Sequence, residues 1–126
     1  MILDSNIVIY AFQPQYRDSA LERFLAQGEF SASNLTRLEV MGYWRNSEAE
    51  FQQFGLFFDA MQIFAVSDEI IEHAIHLRRQ RSMGLADAII ASTALLHQLP
   101  LVTHNTDDFK WISELQLIDP LLEPAS

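Results

Sequence analysis

Short apolar runs alternate along the chain with longer segments in which apolar residues recur at helical spacing. A short apolar run bounded by polar or turn residues predicts a buried strand. Such runs lie at residues 2–4, 30–33, 62–66, 101–103 and 117–118. Because predicted strands alternate with predicted helices, we expect a three-layer α/β/α fold around a central, mostly parallel sheet of four to five strands.

The longer segments predict helices, and some of them carry their own start and stop signals. Ser67 is a candidate N-cap, and the helix after it is acidic in its first turn and basic in its last, as the helix dipole prefers. Segment 86–98 is apolar nearly all round, so we expect that helix to be buried. The predicted helices lie at residues 6–12, 16–27, 34–45, 47–61, 68–81, 86–98 and 106–113, and residues 121–126 form a tail.

The length and composition are those of one domain over residues 1–126. Hydrophobic residues make up 49% of the sequence, which is enough for a substantial core. The absence of cysteine excludes disulfides and thiolate catalysis. No apolar run reaches the roughly 18 residues of a membrane span, and the first residues lack the basic region of a signal peptide. We therefore expect a cytoplasmic protein that makes no membrane contact.

The net charge of −9 is opposite in sign to that of most proteins that bind nucleic acid by charge alone. A role on nucleic acid would therefore need a local positive patch or bound cations. Alternatively, the excess of acidic residues belongs to a metal site.

Four acids are predicted at one edge of the sheet. Asp4 ends the first strand, and Glu39 lies near the start of the helix after the second strand. Asp108 follows the fourth strand, and Asp87 opens the helix that leads into that strand. Sites in parallel α/β sheets form beyond the carboxyl ends of the strands, and a helix that feeds a parallel strand starts at the same edge. We therefore expect all four acids on one rim, although they are far apart in sequence.

Carboxylates gathered in one cleft repel one another unless a cation neutralises them. A hard divalent ion such as Mg²⁺ or Mn²⁺, which prefers oxygen ligands, would do so. Such a site suits phosphodiester hydrolysis, in which the metal activates a water and offsets charge on the attacking and leaving oxygens.

Each of the four acids also has a structural interpretation. Glu39 follows Thr36 by three positions, as in a helix capping box. Asp87 and Asp108 could be acids favoured by the N-terminal end of a helix, and Asp4 could be a turn residue. Asp4 is the hardest to explain structurally, because it interrupts an apolar run.

Four segments, which together span nearly the whole sequence, carry a resemblance to a known family. They are residues 2–7 (ILDSNI), 31–39 (SASNLTRLE) ahead of Gly42, 84–94 (GLADAIIASTA) and 102–109 (VTHNTDDF). In these segments the chain resembles PIN-domain ribonucleases, and specifically VapC-type toxins of bacterial or archaeal toxin–antitoxin pairs. The third segment is the most specific, and four segments in this order are a much stronger signal than one.

The resemblance implies a set of ligands for Mg²⁺ or Mn²⁺, namely Asp4, Glu39, Asp87 and an acid near Asp108. The residues that would support these ligands or the scissile phosphate are Ser5, Asn6, Thr103 and Asn105. Some relatives carry the fourth acid at the position of Asn105 and others at that of Asp108. We favour Asp108, with Asp107 as a lesser candidate.

The same resemblance implies an RNA substrate, a homodimer and a VapB-like antitoxin whose C-terminal segment covers the cleft. Aromatic residues at 43–44 and 51–64 are expected mostly in the core, with some in a groove for the antitoxin or in a self-association surface. His104 lies on the expected rim and could contact phosphate, although a solvated loop histidine is the commoner outcome.

Two other functions are compatible with these residues. A PIN-like module that binds RNA or protein with little or no catalysis would fit the adverse net charge and the ambiguous fourth acid. A small phosphohydrolase with Asp4 as its nucleophile would normally need a second Asp two residues later, where this chain has Asn6.

Overall fold

The computed structural model describes residues 1–17 and 19–122, which form a parallel sheet with helices on both faces. The strands are β1 Ile2–Leu3, β2 Ser31–Ser33, β3 Gln62–Phe64, β4 Leu101–Val102 and β5 Leu117–Ile118. All strand pairs are parallel, and the order across the sheet is β3-β2-β1-β4-β5. The predicted three-layer fold is therefore confirmed, with five strands. Residues 123–126 of the predicted tail lie outside the described residues.

Helices cover both faces of this sheet. In the described part of the chain they are α1 Ser5–Ala11, α2 Ala20–Gln27, α3 Asn34–Met41, α4 Glu48–Asp59, α5 Asp68–Gln80 and α6 Leu85–Leu96, with 3₁₀ helices at Pro14–Tyr16 and Thr106–Asp108. The predicted cap of α5 is confirmed, because the Ser67 hydroxyl accepts the backbone N–H of Ile70. None of the helices described has the length and apolar character that a membrane span requires.

Successive residues of each strand face opposite helical layers, which places one core on each side of the sheet. In β1, Ile2 packs into the core under α5 and α6, whereas Leu3 packs into the core under α1 to α4. Leu101 and Val102 of β4 divide in the same way, and all four side chains are fully buried. Burial on both faces explains why the strands are continuous apolar runs in the sequence rather than alternating ones.

The central part of α6 is buried, as predicted. Its two polar residues in that part are satisfied, because Thr93 donates its hydroxyl to the carbonyl of Ile89 and Ser92 pairs with His73. The first residue of the helix, Leu85, is exposed at the turn that joins α5 to α6.

Three predicted helix boundaries were wrong, each for a local reason. Segment 16–27 is divided, because Ser19 caps α2 by accepting the N–H of Glu22. Segment 34–45 ends at Met41, where Gly42 closes the last turn onto the carbonyl of Leu38. Segment 106–113 is a 3₁₀ helix followed by further turns with three-residue hydrogen bonds, which place Phe109, Ile112 and Leu115 in the core.

The order of the strands reverses between β1 and β4, and this reversal positions the candidate site. Strand β1 pairs with β2 on one side and with β4 on the other. Ligands of open α/β sheets bind in the crevice beyond the carboxyl ends of the strands at such a point. Asp4 directly follows β1 and Thr103 directly follows β4, so both residues lie at this crevice.

Candidate active site

Asp4 is a buried carboxylate at the crevice between β1 and β4, and only 8% of the residue is exposed. Its Oδ1 accepts the backbone N–H of Ser5 at 2.8 Å, so Asp4 caps α1. Its Oδ2 accepts the hydroxyl of Thr103, also at 2.8 Å and 99 positions away in sequence. The interpretation of Asp4 as a turn residue therefore accounts for one carboxylate oxygen, while the other joins the ends of two strands.

Ser5 connects Asp4 to a second acid. Its backbone N–H binds Asp4, and its hydroxyl donates to Oε1 of Glu39 at 2.8 Å. Glu39 is exposed in the second turn of α3, one layer away from the strand that carries Asp4. One serine thus holds two carboxylates on the same rim.

Helix capping does not explain the position of Glu39. The N-cap of α3 is Ser33, whose hydroxyl accepts the N–H of Leu35. Thr36 lies inside the helix, and its buried hydroxyl has no hydrogen-bond partner among the residues described. The interpretation of Thr36 and Glu39 as a capping box is therefore wrong.

Asp87 lies in the first turn of α6, as its interpretation as a helix N-terminal acid requires. Burial is the main cause that raises the pKa of its carboxyl, which reaches about 6 instead of 3.8. The remaining causes are the negative charges of Asp4, Asp108 and Glu39. No basic side chain is among these causes. The position of Asp87 at the start of α6 therefore does not offset the effect of burial on its pKa.

Asp4 is perturbed in the same direction. Burial raises the pKa of its carboxyl, while the hydrogen bonds from Thr103 and Ser5 lower it in part. The charges of Glu39 and Asp108 raise the pKa further. Carboxylates from α3, α6 and the segment after β4 therefore interact with Asp4, although each lies 35 or more positions from it in sequence.

The segment after β4 offers three candidates for the fourth position, and the structure distinguishes them. Asp108 lies within electrostatic reach of both Asp4 and Asp87. Asp107 instead forms an exposed ion pair with Lys110 at 2.9 Å, which lowers the pKa of its carboxyl. Asn105 is exposed, and its backbone N–H binds the hydroxyl of Thr103 at 3.1 Å.

The four acids fit a hard divalent ion in the chemistry of their donors, because all of them offer carboxylate oxygens. The pKa values of two of the carboxyls, those of Asp4 and Asp87, are raised mainly by burial and further by the charges of neighbouring acids. Across residues 1–17 and 19–122, no group of three or more His, Asp or Glu side chains is arranged closely enough to hold a metal ion. Mg²⁺ often binds one or two carboxylates and keeps several waters, so a closed cage of protein ligands is not required.

The remaining predicted residues surround Asp4. Thr103 is fully buried and holds both Asp4 and the backbone of Asn105. Asn6 lies half-buried in the first turn of α1, next to Ser5. The elements that meet at the crevice thus contribute hydroxyl and amide groups as well as carboxylates.

Sequence reasoning missed one pair on the same rim. His104, which we interpreted as a solvated loop residue, forms a hydrogen bond with the carboxylate of Asp119 at the end of β5. The sequence offered only a weak signal for this pair, because Asp119 follows a two-residue strand and precedes Pro120.

A family model described as PIN domain matches residues 1–115 of the chain. None of the curated proteins matches the chain significantly in sequence.

Several solved structures match the chain over nearly its whole length. A chain of a toxin–antitoxin complex from Klebsiella pneumoniae is 30% identical, with a TM-score of 0.78, and 94% of this chain and 96% of that chain are covered. A chain of VapBC-1 from nontypeable Haemophilus influenzae is 24% identical, with the same TM-score and the same coverage. A chain of VapBC2 from Rickettsia felis, bound to a promoter DNA fragment, is 24% identical with a TM-score of 0.74 and coverage of 93% and 96%. The last two likenesses establish the fold alone.

Proposed function

The chain belongs to the PIN domain family, and from that premise we propose that it is a VapC-like toxin that hydrolyses RNA phosphodiester bonds with the help of Mg²⁺ or Mn²⁺. The observation that carries this proposal is the convergence of four carboxylates at the crevice between β1 and β4, where burial and then repulsion from neighbouring acids raise the pKa values of Asp4 and Asp87. Such repulsion costs folding free energy, which a bound dication would recover. The ligands proposed are Asp4, Glu39, Asp87 and Asp108.

Hydrogen bonds from neighbouring residues hold two of the proposed ligands, Asp4 and Glu39, in place. Thr103 and Ser5 fix the two oxygens of Asp4, and the Ser5 hydroxyl directs Glu39 toward the same crevice. A bound Mg²⁺ or Mn²⁺ would supply an activated water and offset charge on the oxygens of the scissile phosphate. Asn6 and Asn105 are the uncharged hydrogen-bonding side chains proposed to contact that phosphate, because they do not repel it.

RNA is the proposed substrate, and the net charge of the chain limits how it binds. The charge of −9 repels a polyanion over most of the surface. We therefore expect weak, salt-sensitive binding that depends on cations in the cleft and on a few local contacts.

The proposal is tested by incubating the protein with single-stranded RNA in the presence and absence of Mg²⁺ or Mn²⁺. We expect cleavage only with the metal, and its loss in Asp4→Asn and in Asp87→Asn. Asp107→Asn is the matched control, because this acid is paired with Lys110 outside the crevice. Full activity in either crevice variant, or cleavage that persists after chelation, would contradict the proposal.

An antitoxin partner is part of the proposal, and a surface groove beside Glu39 suits it. The groove has a volume of about 470 Å³ and is lined in part by Ile9, Phe12, Tyr43 and Phe54. An apolar segment that filled this groove would end at the crevice, where it could block the site. Tyr43→Glu should weaken inhibition by a cognate VapB-like antitoxin. Leu56→Glu, at an exposed residue that does not line the groove, should not.

The proposed homodimer has a different candidate surface. Ile71, Ile75 and Leu85 form an exposed apolar patch where α5 packs against the start of α6. Sedimentation of the free protein should give the mass of a dimer, and Ile75→Glu should give that of a monomer. A wild-type monomer at micromolar concentration would remove this part of the proposal.

A PIN-like binding module without catalysis is the second candidate function. It is favoured by one observation, since the carboxylates of the described residues repel one another without forming a closed cluster of ligands. Titration calorimetry distinguishes the two functions. Heat from Mg²⁺ or Mn²⁺ binding that is lost in Asp87→Asn supports the nuclease, and no heat in the wild type supports the binding module.

A further inference from the structure

His104 and Asp119 form an oriented pair beside the crevice, and the proposed ligands do not include either residue. His104 directly follows Thr103, whose hydroxyl binds Asp4. The Nδ1 atom of His104 lies 3.0 and 3.2 Å from the two carboxylate oxygens of Asp119. Asp119 is held in turn, because one of these oxygens also accepts the backbone N–H of Leu121 at 3.0 Å.

The contact with Asp119 decides which ring nitrogen of His104 is available to a ligand. An ionised carboxylate can only accept hydrogen bonds, so Nδ1 of His104 carries a hydrogen and donates it. In the neutral ring Nε2 is then a hydrogen-bond acceptor. The Asp119 side chain is only 8% exposed, whereas that of His104 is 43% exposed. The acceptor nitrogen therefore lies on the side of the ring that does not face the carboxylate.

An aromatic surface lies next to the ring of His104. The ring of Tyr10 meets that of His104 edge-on, with centroids 6.2 Å apart, and the ring of Tyr16 lies 5.3 Å from that of Tyr10. Tyr10 belongs to α1, which starts at Asp4, and His104 follows Thr103. Tyr10 and His104 are thus connected along the chain to Asp4 and Thr103, whose side chains meet in the crevice.

An acceptor beside an aromatic ring suits ribonucleotides rather than deoxyribonucleotides. The ribose 2′-hydroxyl is a hydrogen-bond donor that DNA lacks, and nucleobases stack on tyrosine rings in single-stranded RNA complexes. A neutral acceptor also adds no negative charge to a protein whose net charge of −9 already repels RNA.

We propose that His104 is a specificity-determining residue, whose Nε2 accepts a hydrogen bond from a ribose 2′-hydroxyl while the adjoining base stacks on Tyr10. Asp119 is the positioning residue that keeps the hydrogen of His104 on Nδ1. This inference rests on the proposed function, because it assumes that the crevice acts on RNA.

The test compares binding of a fluorescein-labelled single-stranded RNA oligonucleotide with that of its 2′-deoxy counterpart, measured by anisotropy in the Asp87→Asn background so that neither is cut. In His104→Asn the amide nitrogen can replace Nδ1 toward Asp119, but nothing replaces Nε2. We expect this variant to bind RNA about five- to tenfold more weakly, the size of one hydrogen bond, and DNA as before. His104→Gln, whose amide reaches the outer position, should recover part of the preference for RNA.

Two further variants separate recognition from structure. His76→Asn is the control, because His76 is exposed on α5 and hydrogen-bonds Gln80 of the same helix. Tyr10→Leu should weaken RNA and DNA binding alike, while Tyr10→Phe should weaken neither. A lower melting temperature in His104→Asn with an unchanged ratio of RNA to DNA affinity would mean that the pair only joins β4 to β5, and would overturn the inference.

The outcomes also separate this inference from the nuclease proposal. If the wild type cuts RNA and His104→Asn keeps the full preference for RNA over DNA, only the role of His104 is refuted. If the wild type neither cuts nor binds RNA, both proposals fail together.

Discussion

The crevice between β1 and β4 and the start of α4 are two acidic regions of one chain. They shift the pKa values of their carboxyls in opposite directions. At the start of α4, Ser47 and Glu50 form a capping box in which each side chain bonds the backbone N–H of the other. Those bonds lower the pKa of the Glu50 carboxyl. In the crevice, burial and neighbouring acids raise the pKa of Asp87 to about 6.

The comparison teaches how to separate a structural acid from a functional one. Glu50 has local partners, so its charge already stabilises the fold that carries it. Asp87 has no such partner in the described part of the chain, and its charge destabilises the fold until a cation binds. Variants of the two residues should therefore differ in activity, in their response to metal and in the sign of their pH dependence.

The largest expected difference is in activity. Asp87→Asn should lower kcat/KM for RNA cleavage by more than about a hundredfold, because even the residues that support metal ligands typically contribute 10- to 100-fold. Glu50→Gln should leave kcat/KM unchanged within about twofold, because Glu50 caps α4 and is not one of the proposed ligands. Both values come from initial rates with a fluorogenic RNA substrate. Equal losses in the two variants would mean that the crevice acids act only through stability.

The next difference is in stabilisation by metal. Mg²⁺ at about 100 times its dissociation constant should raise the free energy of unfolding of the wild type by about 2.7 kcal/mol. Urea titrations with Mg²⁺ and with a chelator measure this gain. Glu50→Gln should keep the whole gain and Asp87→Asn should lose most of it, and a gain retained in Asp87→Asn would place the metal elsewhere.

The pH dependences of the two regions should have opposite signs in the metal-free protein. Folding raises the pKa of Asp87 from 3.8 to about 6. Its contribution to the free energy of unfolding is therefore fully present below pH 3.8 and is lost as the pH rises through about 6. Folding lowers the pKa of Glu50, so its contribution is present at neutral pH and is lost as pH falls.

Urea unfolding across the acidic to neutral range checks these signs. Asp87→Asn should match the wild type near the unfolded pKa and exceed it by about 1 kcal/mol above pH 6, a modest gain because solvent screens the exposed half of this carboxyl. Glu50→Gln should be less stable than the wild type only at the higher pH values. If stability depended on pH in the same way in Asp87→Asn and in the wild type, the raised pKa of Asp87 would be refuted.

The smallest difference is expected between two hydroxyl deletions. Ser47→Ala removes the cap of α4 and Thr103→Val removes a hydrogen bond to Asp4, and each should lower the free energy of unfolding by about 1 kcal/mol. Only Thr103→Val should also lower kcat, since it releases one oxygen of Asp4. Thermal unfolding and cleavage rates of the two variants test this, and an unchanged kcat in Thr103→Val would show that the bond is not needed.

Much of the fold followed from local sequence signals. The five apolar runs lie where the five strands form, and Ser67 caps α5 as its position indicated. The errors arose where two local signals competed. Ser19 is the N-cap of α2, so the helix predicted from residue 16 starts later. Ser33 is the N-cap of α3, so Thr36 lies inside that helix and does not form the capping box with Glu39 that their spacing suggested.

The sequence by itself determined that Asp4 lies at the carboxyl end of a strand, that Asp87 lies in the first turn of a buried helix and that the carboxyl ends of the strands meet at one edge. These features follow from periodicity over a few residues. Only the tertiary structure decided that Thr103 binds Asp4, that Ser5 bridges to Glu39 and that Asp119 orients His104. Those contacts depend on strand order and on side-chain directions. Neither is encoded in local spacing, since both arise from packing between segments that are distant along the chain.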